Sequence, residues 1–368
     1  MFPPSDSLPI IPLDKVEALR KAIGSFFLVH TTLLDEPQSG AVQFRGRFLQ
    51  DPADCFHDLR QQFEQFGFTP LIRKENDQTL LIGMPGVINP PESDWRINLG
   101  LFLATIISTL FIGALWEISD PDDYWQIWRG WPFSLSIMLI LTAHELGHYF
   151  AARYHKVPVT LPYFLPIPTI LGTMGAFIRL KGPVHNRRAL LDVGVSGPLA
   201  GMLFAVPILI YGLLTSSVDV IIPGAGFQEG NSVLYVLFKY LVFGQFLPSN
   251  GVDVHINAVA FAGWAGLLVT GLNLIPVGQL DGGHVAYVLF GERAKQLFWP
   301  ALFALAILAL LTSNMMWVIW IGLLYFLGQH YAQPLDDVTP LDPVRRAIAI
   351  GTLVLFFLVF VPIPLIPN

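Results

Sequence analysis

The sequence predicts a polytopic α-helical membrane protein of about six to eight transmembrane helices, with a membrane-embedded β-like re-entrant hairpin, preceded by a small soluble α/β domain. Three observations carry this expectation. Apolar residues make up 53% of the chain and charged residues only 13%, about half the ~25% charged share of an average soluble domain. Apolar runs of spanning length recur from residue 98 onward, whereas charges are spread through roughly the first 95 residues. Between the runs lies an apolar stretch, 158–183, broken by Pro162, Pro166, Pro168, Gly172 and Gly175, where no regular helix fits.

The elements follow in order. The opening residues, Met1 to Asp6, lack the basic start and apolar core of a cleavable signal peptide, so an internal span is expected to direct insertion. Residues 1–25, with Val16–Ile23, supply a short helix. Ala41–Leu49 reads as a strand and leads into Asp51-Pro52, a cap followed by a first-turn proline. The helix that starts there runs to about Phe66, with Phe56, Leu59, Phe63 and Phe66 at three-to-four spacing. Thr69–Arg73 and Gln78–Ile82, joined through Lys74, Glu75, Asn76 and Asp77, form a hairpin. Residues 89–94, rich in proline and polar groups, are the linker. The domain division is therefore 1–95 for the soluble α/β part and 96–368 for the multi-span part, with a catalytic core at about 96–330.

Apolar segments near 98–116, 132–153, 190–214, 256–275, 297–312, 315–328 and 347–364 approach the ~20 residues that cross a bilayer. The fifth and sixth, separated by Thr312, Ser313 and Asn314, read as a tight helical hairpin. Within 215–253, the run Val233–Leu247 is interrupted by Lys239 and reads as an interfacial helix or a further span. Arg96 precedes the first span and Asp120, Asp122 and Asp123 follow it; Arg153 and Lys156 follow the second, and Lys181, Arg187 and Arg188 precede the third. Cationic flanks stay on the inner side. The N-terminal domain is thus expected on the cytoplasmic or stromal side of a plasma or thylakoid membrane.

At the inner end of the second span stands His144-Glu145-Leu146-Gly147-His148. On a helix its histidines share one face and can share a zinc ion, with Glu145 beside them to take a proton from water. The motif lies about 20 Å along the helix from Trp131, at ~1.5 Å per residue, within the membrane thickness. A third protein ligand is required if one position is to remain for water. Asp281 and His284, both in the stretch 273–284 after the 256–275 span, are the candidates. A carboxylate at such depth needs a neutralising partner, which a cation supplies. The single cysteine, Cys55, excludes an internal disulfide framework and a cysteine-rich metal site. A net charge of −6 without a basic tract speaks against nucleic-acid binding.

Together, His144-Glu145-Leu146-Gly147-His148, the run Asn273-Leu274-Ile275-Pro276 followed by Leu280-Asp281-Gly282, and the small-residue run Gly194–Gly201 between them resemble the site-2 protease family of intramembrane zinc metalloproteases. The resemblance covers about residues 95–330 and looks closest to the cyanobacterial and plastid branch without a PDZ domain. It implies one Zn2+ per chain held by His144, His148 and Asp281, Glu145 as general base, and Asn273 orienting substrate or stabilising the oxyanion. Transmembrane segments of other proteins are the implied substrates. A membrane-anchored zinc protease with an aqueous active site, and a metal or ion transporter, are the competing functions; the first calls for a downstream glutamate ligand and the second for polar groups strung along several spans. The stretch 158–183 is expected to form a re-entrant hairpin whose edge, 173–178, pairs with an unwound substrate segment. Gly194–Gly201 is read as close helix packing, and Asp192 as a cap or a partner for Arg187 or Arg188.

Overall fold

The computed structural model describes residues 11–75, 78–118, 120–167, 169–221 and 227–367. Residues 1–10, the hairpin turn at Asn76 and Asp77, and Pro168 lie outside the described residues. Two compact units are present. The first comprises Met1–Pro91, Lys181–Leu190 and Gln333–Asp342, and the second Glu92–Leu180, Leu191–Ala332 and Pro343–Asn368.

In the first unit, α1 (Leu13–Ala22) is followed by β1 (Phe27–Leu34), β2 (Val42–Phe48), α2 (Pro52–Gln65), β3 (Phe68–Glu75) and β4 (Gln78–Pro85). The strands form an antiparallel sheet of order β1-β2-β4-β3. Asp51 caps α2 through its Oδ1, which accepts from the Ala53 amide at 2.9 Å, and Pro52 occupies the first turn. Phe56, Leu59 and Phe63 on α2 are buried with Phe27, Phe44, Ile72 and Leu81 of the sheet. β1 was not anticipated, although its Val29, Thr31 and Thr32 are strand-forming residues. The segment 333–342 completes this core: the Ile72 amide donates to the Leu335 carbonyl at 2.8 Å, and Leu335 is buried. Asp336 is fully buried, accepting from the Val338 amide and the Thr339 hydroxyl.

The second unit holds α3 (Trp95–Glu117), α4 (Trp131–Tyr154), β5 (Tyr163–Phe164), β6 (Ala176–Phe177), α5 (Arg187–Leu214), β7 (Ser217–Val220), β8 (Phe227–Glu229), α6 (Val233–Phe243), β9 (Val252–His255), α7 (Ala258–Asn273), α8 (Asp281–Phe290), α9 (Phe298–Thr312), α10 (Met315–Leu327), α11 (Pro343–Val359) and β10 (Leu365–Pro367). Residues 187–190 of α5 belong to the first unit. Among the described residues, three helical runs, Trp95–Glu117, Arg187–Leu214 and Asp281–Thr312, are long and apolar enough to cross a membrane. α4 has 24 residues, and its polar pentapeptide lowers its mean hydropathy. α3 exposes Leu99, Leu103, Ile107 and Phe111 at every fourth position, an apolar stripe suited to acyl chains and costly in water.

α7 is the centre of the unit and is buried over nearly its whole length. Small residues allow this: a Cβ on Gly263 would stand 2.6 Å from the Leu209 Cα of α5, and one on Gly266 2.9 Å from the Ala205 Cβ. α6 is an 11-residue helix ended by Gly244 in the left-handed region at φ 71°; at ~1.5 Å per residue it rises only about 16 Å. Its Lys239 is fully buried and donates to Asp253 Oδ1 at 3.1 Å. The stretch 158–183 is irregular, as its prolines require, with a short hairpin of β5 and β6. Asn98 of α3 holds that hairpin by donating from Nδ2 to the Leu161 and Pro162 carbonyls at 2.8 and 3.0 Å.

Candidate metal centre

Helix α4 is continuous through the pentapeptide, so His144 and His148 stand one turn apart on one face, both buried. Their Nε2 atoms are 3.2 Å apart. Asp281, the first residue of α8, brings Oδ2 to 3.3 Å from His144 Nε2 and Oδ1 to 3.2 Å from His148 Nε2. Glycines after Asp281 make this approach possible, since a Cβ on Gly282 would lie 2.0 Å from the Leu274 carbonyl oxygen. Three donors about 2.0–2.1 Å from a tetrahedral zinc ion are separated by about 3.3 Å. The observed triangle has those edges, and its N, N, O donor set suits zinc. Among the described residues these three form the only His, Cys, Asp or Glu group able to share a metal ion.

The packing of α5 fits the site around its rings. A Cβ on Gly197 would fall 2.0 Å from His148 Nε2, and one on Gly201 would fall 3.2 Å from His144 Nδ1. The sequence expectation of close helix packing at Gly194–Gly201 thus has a specific object, the two imidazoles. The Val193 carbonyl of α5 lies 2.6 Å from His148 Nδ1 and also accepts from Ser196 Oγ at 2.9 Å. A carbonyl can only accept, so Nδ1 carries the proton and Nε2 turns its lone pair to the centre.

Glu145 is buried next to the histidines, and the backbone of Ile178, the residue after β6, faces its carboxylate. Asn273, the last residue of α7, places Nδ2 3.4 Å from His144 Nε2. His284 stays off the triangle: its Cβ packs at 3.0 Å from where a Cβ on Gly194 would stand, and its buried Nδ1 has no hydrogen-bond partner among the described residues. The sequence reads Asp192 as a cap or a partner for Arg187 or Arg188. Arg345 and His155 hold it instead, and Arg187 pairs with Asp337. Sequence reasoning missed Val193 and Arg345, and placed Ile178 on the hairpin edge without its approach to Glu145. Val193 and Ile178 act through backbone atoms, and Arg345 lies far along the chain.

Residues 132–312 match the model of Peptidase family M50. The chain is 30% identical over 372 residues to "Probable zinc metalloprotease EGY2, chloroplastic" of Arabidopsis thaliana, covering 96% of this chain and 65% of that protein. The rice protein of the same name, from Oryza sativa subsp. indica, is 29% identical, with 96% and 67% covered. "Probable zinc metalloprotease EGY1, chloroplastic" of Arabidopsis thaliana is 30% identical over 80% of this chain and 56% of its own length. The chain thus spans about two thirds or less of these relatives. No solved structure matches it.

Proposed function

Residues 132–312 form a Peptidase family M50 domain, and from that premise we propose that the chain is a zinc-dependent intramembrane endopeptidase that cuts transmembrane segments of other proteins. One observation carries the reading: two imidazoles and a carboxylate converge with edges of 3.2–3.3 Å on apolar helices. His144, His148 and Asp281 would hold one Zn2+. When bound, zinc acidifies water and polarises a peptide carbonyl.

The remaining steps belong to the chain's own groups. Glu145 takes the proton of the attacking water and returns it to the departing amine nitrogen as the C–N bond breaks. Its burial keeps that proton from bulk solvent. The Asn273 amide donates to the oxygen that gains negative charge, and a preset donor needs no reorganisation when the charge develops. A substrate helix hides its carbonyls in i to i−4 bonds, so a short stretch must unwind before attack. The hairpin of β5 and β6 offers that stretch an edge, 173–178, whose last residue, Ile178, faces Glu145.

The relatives' names place them in chloroplasts, and we assign this chain to a thylakoid or plasma membrane with six to eight spans. Its domains are a soluble one built on 1–95, which takes in 181–190 and 333–342, and a multi-span one from the rest of 96–368, with the N-terminal domain on the cytoplasmic or stromal side. The test uses the purified full chain in lipid with a single-span model substrate. Glu145→Gln should retain zinc and lose cleavage by at least ~100-fold, whereas His144→Ala should lose both. Full activity of the glutamine variant would sink the proposed chemistry.

A further inference from the structure

α4 and α5 run antiparallel along a ladder of contacts that begins outside the metal triangle. At its inner rungs His144 lies against Gly201 and His148 against Gly197 and the Val193 carbonyl. The next rung is His155, which follows the last residue of α4 and stands seven residues, two helical turns, beyond His148 on the same face. Its Nε2 lies 2.9 Å from Asp192 Oδ2. Asp192 immediately precedes Val193, so the carboxylate and the carbonyl are set by the same turn of α5.

A third helix closes the arrangement. Arg345, in the first turn of α11, grips Asp192 with both ends of its guanidinium fork: Nε lies 2.9 Å from Oδ1, and Nη2 lies 2.6 Å from Oδ2. Such a bidentate pair fixes direction as well as distance. Arg345 lies beyond the residues matched by the family model, which end at 312.

We propose that Arg345, Asp192 and His155 form a positioning clamp that holds the Val193 carbonyl on His148 Nδ1, and so fixes the tautomer and ring direction of a metal ligand from the C-terminal helix. The proposal rests on the metal centre described above. Gly197 lets α5 come close enough to the ring for the Val193 carbonyl to reach Nδ1, so the direction of that carbonyl depends on how α5 is held. With the carbonyl displaced, the proton can move to Nε2 and the lone pair is lost to the centre. The groups facing the clamp are His155 from α4, Asp192 from α5 and Arg345 from α11.

The test measures zinc itself, on the purified full chain, by competition with a chromogenic chelator, and the visible spectrum after Co2+ substitution. Asp192→Asn and Arg345→Gln should each weaken zinc binding about 10-fold and change the cobalt spectrum, at a temperature below the melting point of each variant. Arg345→Lys, which keeps charge but cannot make the fork, should fall between them and the wild type. Unaltered zinc affinity and an unaltered cobalt spectrum in Asp192→Asn and Arg345→Gln would overturn the clamp. Should those two not fold, Arg345→Lys and His155→Gln decide in the same way. His144→Ala separates the premises: wild-type zinc affinity in that variant would overturn the metal centre itself, whereas its loss with intact clamp variants overturns only the clamp.

Discussion

At the scale of single residues, the centre is governed as much by what is missing as by what is present. Gly197 has no side chain, and a Cβ there would come 2.0 Å from His148 Nε2 and 2.4 Å from its Cδ2. Alanine is the better helix former by about 1 kcal/mol, so Gly197→Ala opposes local propensity to site geometry. The clash dominates, because no movement of a fully packed ring relieves an overlap of that size cheaply. We expect Gly197→Ala to lose zinc at least ~10-fold more readily than the wild type, measured by chelator competition; undiminished zinc binding would contradict the account. His144, Glu145 and His148 were legible in the sequence because their chemistry requires a fixed spacing on a helix, whereas Asp281 stood beside His284 as a candidate and was favoured only by the family resemblance. Val193 and Arg345 were not, since a carbonyl has no residue identity and an ion pair across 153 residues leaves no local pattern.

At the scale of elements, α6 is shorter than the apolar run that contains it. The run Val233–Leu247 read as an interfacial helix or a further span, yet the helix stops at Phe243 and Lys239 is its most deeply buried charge. Asp253 of β9 neutralises it, and Gln228 of β8 also donates to that carboxylate. Tyr235, one turn earlier, donates to Glu229 at 2.7 Å. α6 is therefore tied to two strands by polar side chains. Removing one partner of a buried pair leaves an uncompensated charge, at a cost of about 3–5 kcal/mol. Lys239→Met should lower stability by that order in thermal melts, and adding Asp253→Asn should recover much of it. If the double variant were less stable than the single, the pair would not be the cause. β1 was missed for a related reason: its burial alternates imperfectly, with Leu28 and Leu34 exposed, so no clean two-residue period marks it.

At the scale of the whole molecule, the two units differ in how much of each is local. The long apolar helices announce themselves by length and composition, and the irregular 158–183 stretch by its prolines. The first unit is assembled from three separate stretches of chain, and nothing near residues 181–190 or 333–342 announces membership of a soluble core. Leu335 belongs to it nevertheless, buried beside Ile72. Truncating a buried leucine costs about 2–5 kcal/mol. We expect Leu335→Ala to speed hydrogen exchange of the β3 amides, which lie more than 250 residues away in sequence. Unchanged exchange there would show that 333–342 is not part of that core. A deletion of residues 1–90 would likewise strip Ile72 and Arg73 from the Leu335 carbonyl. Such a truncation tests folding before it tests regulation.

The hydrogen bond between His148 and Val193 has a consequence for heredity. Its acceptor is main chain, so a side chain of Val193's shape leaves the oxygen in place whatever its identity. Val193 is itself buried, so position 193 should look restricted for a packing reason, which hides what its carbonyl does for the imidazole. What inheritance has to preserve here is the path of a helix, and the cost of losing it appears at other addresses, the neighbouring 192 and the distant 155 and 345.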